Sequence, residues 1–128
     1  MKKLLLIFAL LFSTAMSSSP VRAEWTKVGE NMNGNTFYVD FERIRKHDGY
    51  VYYWELGDYL KPDETGLLSI KLYRQGDCKL FRYKALSFSS HKEPMGKGTA
   101  NTFTSNQDWQ YASPNSVGET MLKKVCSQ

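Results

Sequence analysis

The stretch "YVYYWELGDYL", Tyr50 to Leu60, decides how this chain folds. It holds four tyrosines and Trp54, and residues of this kind favour a pleated, half-buried strand. Tyr50, Tyr52 and Trp54 share one parity, while Tyr53 and Tyr59 share the other, so each face of the strand carries large aromatics. Directly upstream, Asp48-Gly49 is a strong two-residue hairpin signal. The first arm of that hairpin is "TFYVDFERI", where Phe37, Val39 and Phe41 alternate with Tyr38, Asp40 and Glu42 in the period-2 pattern of a strand.

Working outward, Asn33-Gly34 marks a turn that separates a shorter segment, Glu24 to Glu30 with Trp25 and Val28. Downstream of "KPDETG", the run "LLSIKLYR" puts Leu68, Ile70 and Leu72 on one side and Ser69, Lys71 and Tyr73 on the other. "QGD" reads as the next turn, and "CKLFRYKALSFS" as the next strand. Its parity is mixed: Leu80, Leu86 and Phe88 oppose Phe81, Tyr83 and Ala85, a conflict that a β-bulge reconciles. Short turns pair sequential neighbours antiparallel. A polar stretch over residues 89–108 follows, long for a loop in a compact domain. "WQY", Trp109 to Tyr111, reads as a sixth short strand.

At the C-terminus the period changes. Met121, Leu122, Val125 and Cys126 fall on one helical face. Ser113-Pro114 offers one start for this helix. Ser116 with Glu119 offers a later one through a capping box. A helix this short must lie on the sheet to be stable. The expected fold is α+β: an antiparallel meander of about six strands with one C-terminal helix packed on it.

The chain opens "MKKLLLIFALLFSTAMSSSPVRAEW". A basic pair, an apolar run and Val21-Arg22-Ala23 form the three-part pattern of a secretory leader over residues 1–23, with a single domain over 24–128. The apolar run is too short for a membrane-spanning helix, which needs roughly 20 residues. No cysteine lies near the cut to take a lipid anchor. The expected location is periplasmic or secreted, with the cell surface a further candidate. Loss of Lys2, Lys3 and Arg22 with the leader lowers the net charge from +4 to +1, which removes the basic balance a nucleic-acid partner would require.

Both cysteines, Cys78 and Cys126, lie in the exported part, where two cysteines usually pair. They are 48 positions apart, unlike a redox C-x-x-C, and no histidine stands at a ligand spacing from either. The expected bond pins the helix to the sheet. In the chain-entropy picture it stabilises by about 4 kcal/mol.

No motif for catalysis, metal or cofactor emerges. "MGKGT" lacks both the first glycine of a phosphate loop and the Ser or Thr after its lysine. "HKE" at His91 lacks the P-C-x-x-C that a zinc deaminase adds. Asp40, Glu42, Glu55 and Asp58 sit on hairpin strands with nothing to fix a catalytic separation. Serine nucleophiles have no G-x-S-x-G context. The aromatics carry the binding expectation. One face of the Tyr50–Tyr59 strand is core and the other is exposed, and exposed aromatics mark binding surfaces. Candidate binding residues are Tyr50, Tyr52, Tyr53 and Tyr59, with His91, Lys92, Met95 and Lys97 from the polar stretch.

In order along the chain, "EWTKVG", "TFYVDFERIRK", "VYYWELGDY", "LSIKLYRQGDC", "FRYKALS", "EPMGKG" and "PNSVGETMLKKVC" resemble the surface-adhesin protein E-like family. The resemblance covers nearly all of the mature chain. It implies an antiparallel sheet of about six strands with a C-terminal helix held by a disulfide. It also implies an adhesin-like binding module, non-enzymatic, for a protein or glycan of the envelope or extracellular matrix. The other readings are a periplasmic small-molecule or glycan carrier and, third, a periplasmic hydrolase or inhibitor of one. Oligomeric state stays open, a dimer included.

Overall fold

In the computed structural model, residues 23–128 are described; the leader expected over 1–23 lies outside them save for Ala23. Among the described residues, eight strands lie along six tracks of one antiparallel sheet. They are β1 (Thr26–Glu30), β2 (Thr36–Val39), β3 (Arg45–His47), β4 (Tyr50–Asp58), β5 (Ser69–Asp77), β6 (Arg82–His91), β7 (Ala100–Thr104) and β8 (Gln110–Tyr111). Strands β2 and β3 pair with successive halves of β4, and β7 and β8 with opposite ends of β6. Counted by track, with β2 and β3 sharing one and β7 and β8 sharing another, each track is next to the one that follows it in sequence, as a meander requires. The helix α1 (Val117–Cys126) follows.

Asp48 and Gly49, both at positive φ, turn β3 into β4 as the dipeptide predicted. The single long strand expected over Thr36 to Ile44 is broken. Its Phe41–Arg43 segment forms a 3-10 turn, with the Arg43 amide donating to the Asp40 carbonyl. "QGD" is not a turn. Strand β5 runs through Gly76, where a Cβ would come within 2.8 Å of Val51 and 3.1 Å of Leu122, so glycine is set by close packing there. The reversal comes at residues 78–81 instead, with Phe81 at positive φ and Asp77 accepting from the Lys79 and Leu80 amides. The next strand accordingly starts at Arg82, not Cys78. The expected bulge is present. Tyr73 pairs with Ser87 and Arg74 with Ala85, leaving Leu86 as the extra residue, and the facing changes parity there. The polar stretch over 89–108 is no plain loop, because it contains the end of β6, a short turn at Pro94–Gly96 and the edge strand β7.

The core lies between one sheet face and α1. It contains Val28, Val39, Val51 and Tyr53 from strands, and Met121, Leu122 and Val125 from the helix. Ser116 is the N-cap: its hydroxyl accepts from the Glu119 amide at 3.1 Å, so the later of the two expected starts is used. Cys78 and Cys126 are bonded, with Cα atoms 5.7 Å apart, which ties the β5–β6 turn to the last helical residue.

Candidate functional site

Alternation along β4 sends Val51, Tyr53 and Glu55 toward the helix, and Tyr50, Tyr52, Trp54 and Leu56 to the opposite face. No helix covers that second face among the described residues. Cross-strand partners fall on the same side, so Arg45 joins Tyr52, Tyr73 joins Trp54, and Lys71 joins Leu56. The Tyr73 ring centroid lies 4.8 Å from Trp54 and 6.2 Å from Tyr52. Gln75 donates to the Tyr52 hydroxyl at 3.1 Å, which fixes the ring. A second cluster stacks Tyr50 on Trp109 at 5.7 Å, with the Arg82 guanidinium 4.4 Å and the Lys84 ammonium 4.7 Å from the Trp109 ring centre.

Three open depressions lie along the first cluster and share walls. One of about 480 Å³ is bordered by Trp25, Trp54, Lys71, Met95 and Lys97, with Asp40 and Arg43 also lining it. The next, about 470 Å³, shares Arg43 and Trp54 with the first and adds Arg45 and Tyr73. The third, about 390 Å³, shares Arg45 and Tyr73 with the second and extends to His47 and Tyr52. Together they form one furrow of tyrosine, tryptophan and cationic side chains.

One wall of the furrow is the Pro94–Gly96 turn, which is held down on the sheet. The Met95 amide donates to Asp58 at 2.8 Å and the Gly96 amide to the Ser69 hydroxyl at 2.8 Å. Gly96 has φ +67°, and its missing Cβ leaves room for the Lys71 stem. Asp40, at the strand break, is 1% exposed. Neither of its carboxylate oxygens has a well-formed hydrogen bond among the described residues, although Arg43 Nε stands 3.3 Å away.

The predicted binding residues divide. Tyr50, Tyr52, Met95 and Lys97 reach the open face. Tyr53, 1% exposed, belongs to the core; burial, with the Glu55 charge adding, pushes its phenol far above the ordinary value. Tyr59 is half-buried beyond the end of β4. His91 is buried, with its Nε2 2.9 Å from the Ser89 hydroxyl, and Lys92 is exposed. Tyr53 and His91 therefore present no side chain to a partner. Sequence reasoning missed Trp25, Arg43, Arg45, Lys71, Tyr73 and Trp109. Tyr73 and Lys71 were recoverable from their parity opposite Ile70 and Leu72. Trp25 and Trp109 come from distant segments and give no local signal.

Glu55 and Asp40 lie on opposite faces of the sheet. Glu55 is paired with Arg74 at 2.7 Å in a cleft of about 410 Å³ beside the start of α1. Arg74 also lies 4.8 Å over the Tyr83 ring. The cleft is open and carries this ion pair, so it is not a buried apolar pocket between sheet and helix. Among the described residues, no group of three His, Cys, Asp or Glu side chains is placed to hold a metal, and no helix is long and apolar enough to cross a membrane.

Crystal form II of Haemophilus influenzae protein E has the same fold, with a TM-score of 0.61 at 16% identity over 86% of this chain and 92% of that one. The selenomethionine form of protein E gives 0.60 at 16% identity, over 86% and 91%. No curated protein sequence matches the chain. Residues 25–127 match the surface-adhesin protein E family, and the chain belongs to that family.

Proposed function

We propose that this member of the surface-adhesin protein E family is an exported, non-enzymatic binding module, periplasmic or displayed at the cell surface, and that its open sheet face is the binding surface. The observation that carries the reading is the aromatic furrow: Tyr52, Trp54 and Tyr73 packed side by side, flanked by Arg43 and Arg45, on a face that no helix covers among the described residues. Rigid aromatics with cations between them give contact area at low entropic cost. The partner is a protein or glycan of the envelope or matrix.

Export is inferred from the leader. The protein in the envelope fraction is expected to have an intact mass that starts at Glu24. A stable full-length species held in the membrane would refute this. For the surface itself, a Tyr52→Ala/Tyr73→Ala variant is expected to stay folded and to lose capture on a panel of immobilised matrix proteins and envelope glycans that retains the wild type. Undiminished capture by a folded variant would place the binding surface elsewhere.

A further inference from the structure

We infer that the furrow takes an anionic polysaccharide, with one sugar unit seated in the depression between Trp25 and Trp54. The inference rests on the open face being the binding surface and names its ligand class. Three separate features converge there. Arg43 and Arg45 line the furrow, and Lys71 and Lys97 line its first depression, against the exposed Glu42 and the buried Asp40. Two indoles border the same depression and present flat apolar surface. Behind them Asp40 is a buried carboxylate whose ion-pair partner, Arg43 Nε at 3.3 Å, makes no well-formed hydrogen bond to it, so its oxygens retain capacity to accept from a donor.

Each feature selects against a different ligand. The cations select an anion, by charge complementarity that steers approach. The indole faces select a flat group with an apolar side, which a sugar ring supplies through its C–H face. The Asp40 carboxylate, a pure acceptor, selects a ligand that brings hydroxyl donors beside its charge. A run of acidic peptide has the charge but no hydroxyls or ring faces. A neutral glycan has the hydroxyls and faces but nothing for the lysines and arginines. The depression's volume, about 480 Å³ with the leader residue Ala23 still at its edge, lies in the range of roughly 300–1,000 Å³ typical of ligand sites. It opens onto the next two depressions, so the chain of the polymer continues along Tyr73 and Tyr52 rather than ending there.

The test uses the protein purified as exported and follows tryptophan fluorescence on titration. The probes are polygalacturonate and dextran sulfate, which separate carboxylate from sulfate as the anionic group. Comparators are uncharged dextran, poly-glutamate and single-stranded DNA. At least one anionic polysaccharide is expected to bind saturably and at least about tenfold more tightly than all three comparators, a difference well beyond measurement scatter in Kd. Added salt is expected to weaken that binding. Lys71→Gln/Lys97→Gln and, separately, Trp54→Ala are each expected to lower the affinity while the protein stays folded. Asp40→Asn is expected to weaken the polysaccharide but not poly-glutamate; if it does not fold, the lysine and tryptophan variants decide alone.

Equal or tighter binding of poly-glutamate or DNA would overturn the ligand class, and so would equal binding of uncharged dextran or no binding of either anionic polymer. These outcomes differ from failure of the underlying reading. That reading fails if Tyr52→Ala/Tyr73→Ala keeps its matrix and envelope capture. Capture lost in that variant, with no polysaccharide bound by the wild type, would sink the ligand class alone.

Discussion

Two faces of one strand divide the work in this molecule. On the helix side of β4, Val51 and Tyr53 are 2% and 1% exposed, sealed by Met121, Leu122 and Val125. On the other side, Tyr50, Tyr52 and Trp54 are only half-buried, and they pack against aromatics from β5 and from the segment before β8. Tyr52 and Tyr53 are adjacent in sequence and chemically identical. One holds its hydroxyl in a hydrogen bond from Gln75 at the surface; the other is buried in the core. Residue type therefore says little about role in this sheet. Parity relative to the helix says nearly everything.

That contrast is sharpest in stability. Leu122→Ala, in the sealed face, is expected to cost about 2–5 kcal/mol through lost burial and a residual cavity. Tyr52→Ala, in the open face, is expected to cost no more than about 1 kcal/mol. Urea titration of both variants checks this, and comparable losses would mean that the open face is structural.

The disulfide sharpens the comparison differently, because it secures only the sealed face. Replacing both cysteines with serine is expected to lower stability by about 2–4 kcal/mol. The loss is expected to concentrate in α1. Hydrogen exchange should speed up over Val117–Cys126 more than over the centre of β5. Uniform acceleration across both would refute the pinning role.

The smallest effect depends on pH. Burial, with the Lys71 charge adding, holds the His91 imidazole below its ordinary value. The unfolded chain thus takes up a proton first, and stability rises with pH across the interval between the folded and unfolded values. The His91 contribution is full above about pH 6.5 and is lost as pH falls through that value toward the folded one. His91→Gln is expected to flatten this part of the stability profile, followed by thermal midpoints between about pH 5 and 8. An unchanged slope would mean that His91 does not titrate against folding.

Much of the sealed face was legible in the sequence, since it is written in short periods. The strand alternation of Phe37 and Val39, the helical spacing of Met121, Leu122 and Val125, and the Asp48-Gly49 turn each need only a few consecutive residues. The bulge in β6 was legible too, as a parity conflict between Tyr83 and Phe88. Positions fixed by tertiary contact were less accessible. Gly76 reads as a turn residue, yet it is dictated by Val51 and Leu122, residues remote in sequence. The furrow was legible only in part. Tyr50 and Tyr52 were singled out because they sit in one aromatic run, and Met95 and Lys97 because they sit in the polar stretch, whereas Trp25, Arg43 and Lys71 come from three other segments that only the meander brings together. His91 was misjudged for a related reason. It was chosen as a member of a polar stretch, and its burial follows from β6 extending to it.

The position of α1 also sets an order in time. A chain made from its N-terminus delivers β1 first and α1 last, yet these two elements pack against each other. The apolar face of the sheet therefore stays open while the strands form, and it closes only when α1 arrives. Cys78 waits likewise, with its partner 48 residues behind it. During that interval the growing chain displays an unsealed sheet and an unpaired thiol, the state most exposed to aggregation and to wrong partners. A helix that follows all eight strands makes its own docking the step that closes the fold.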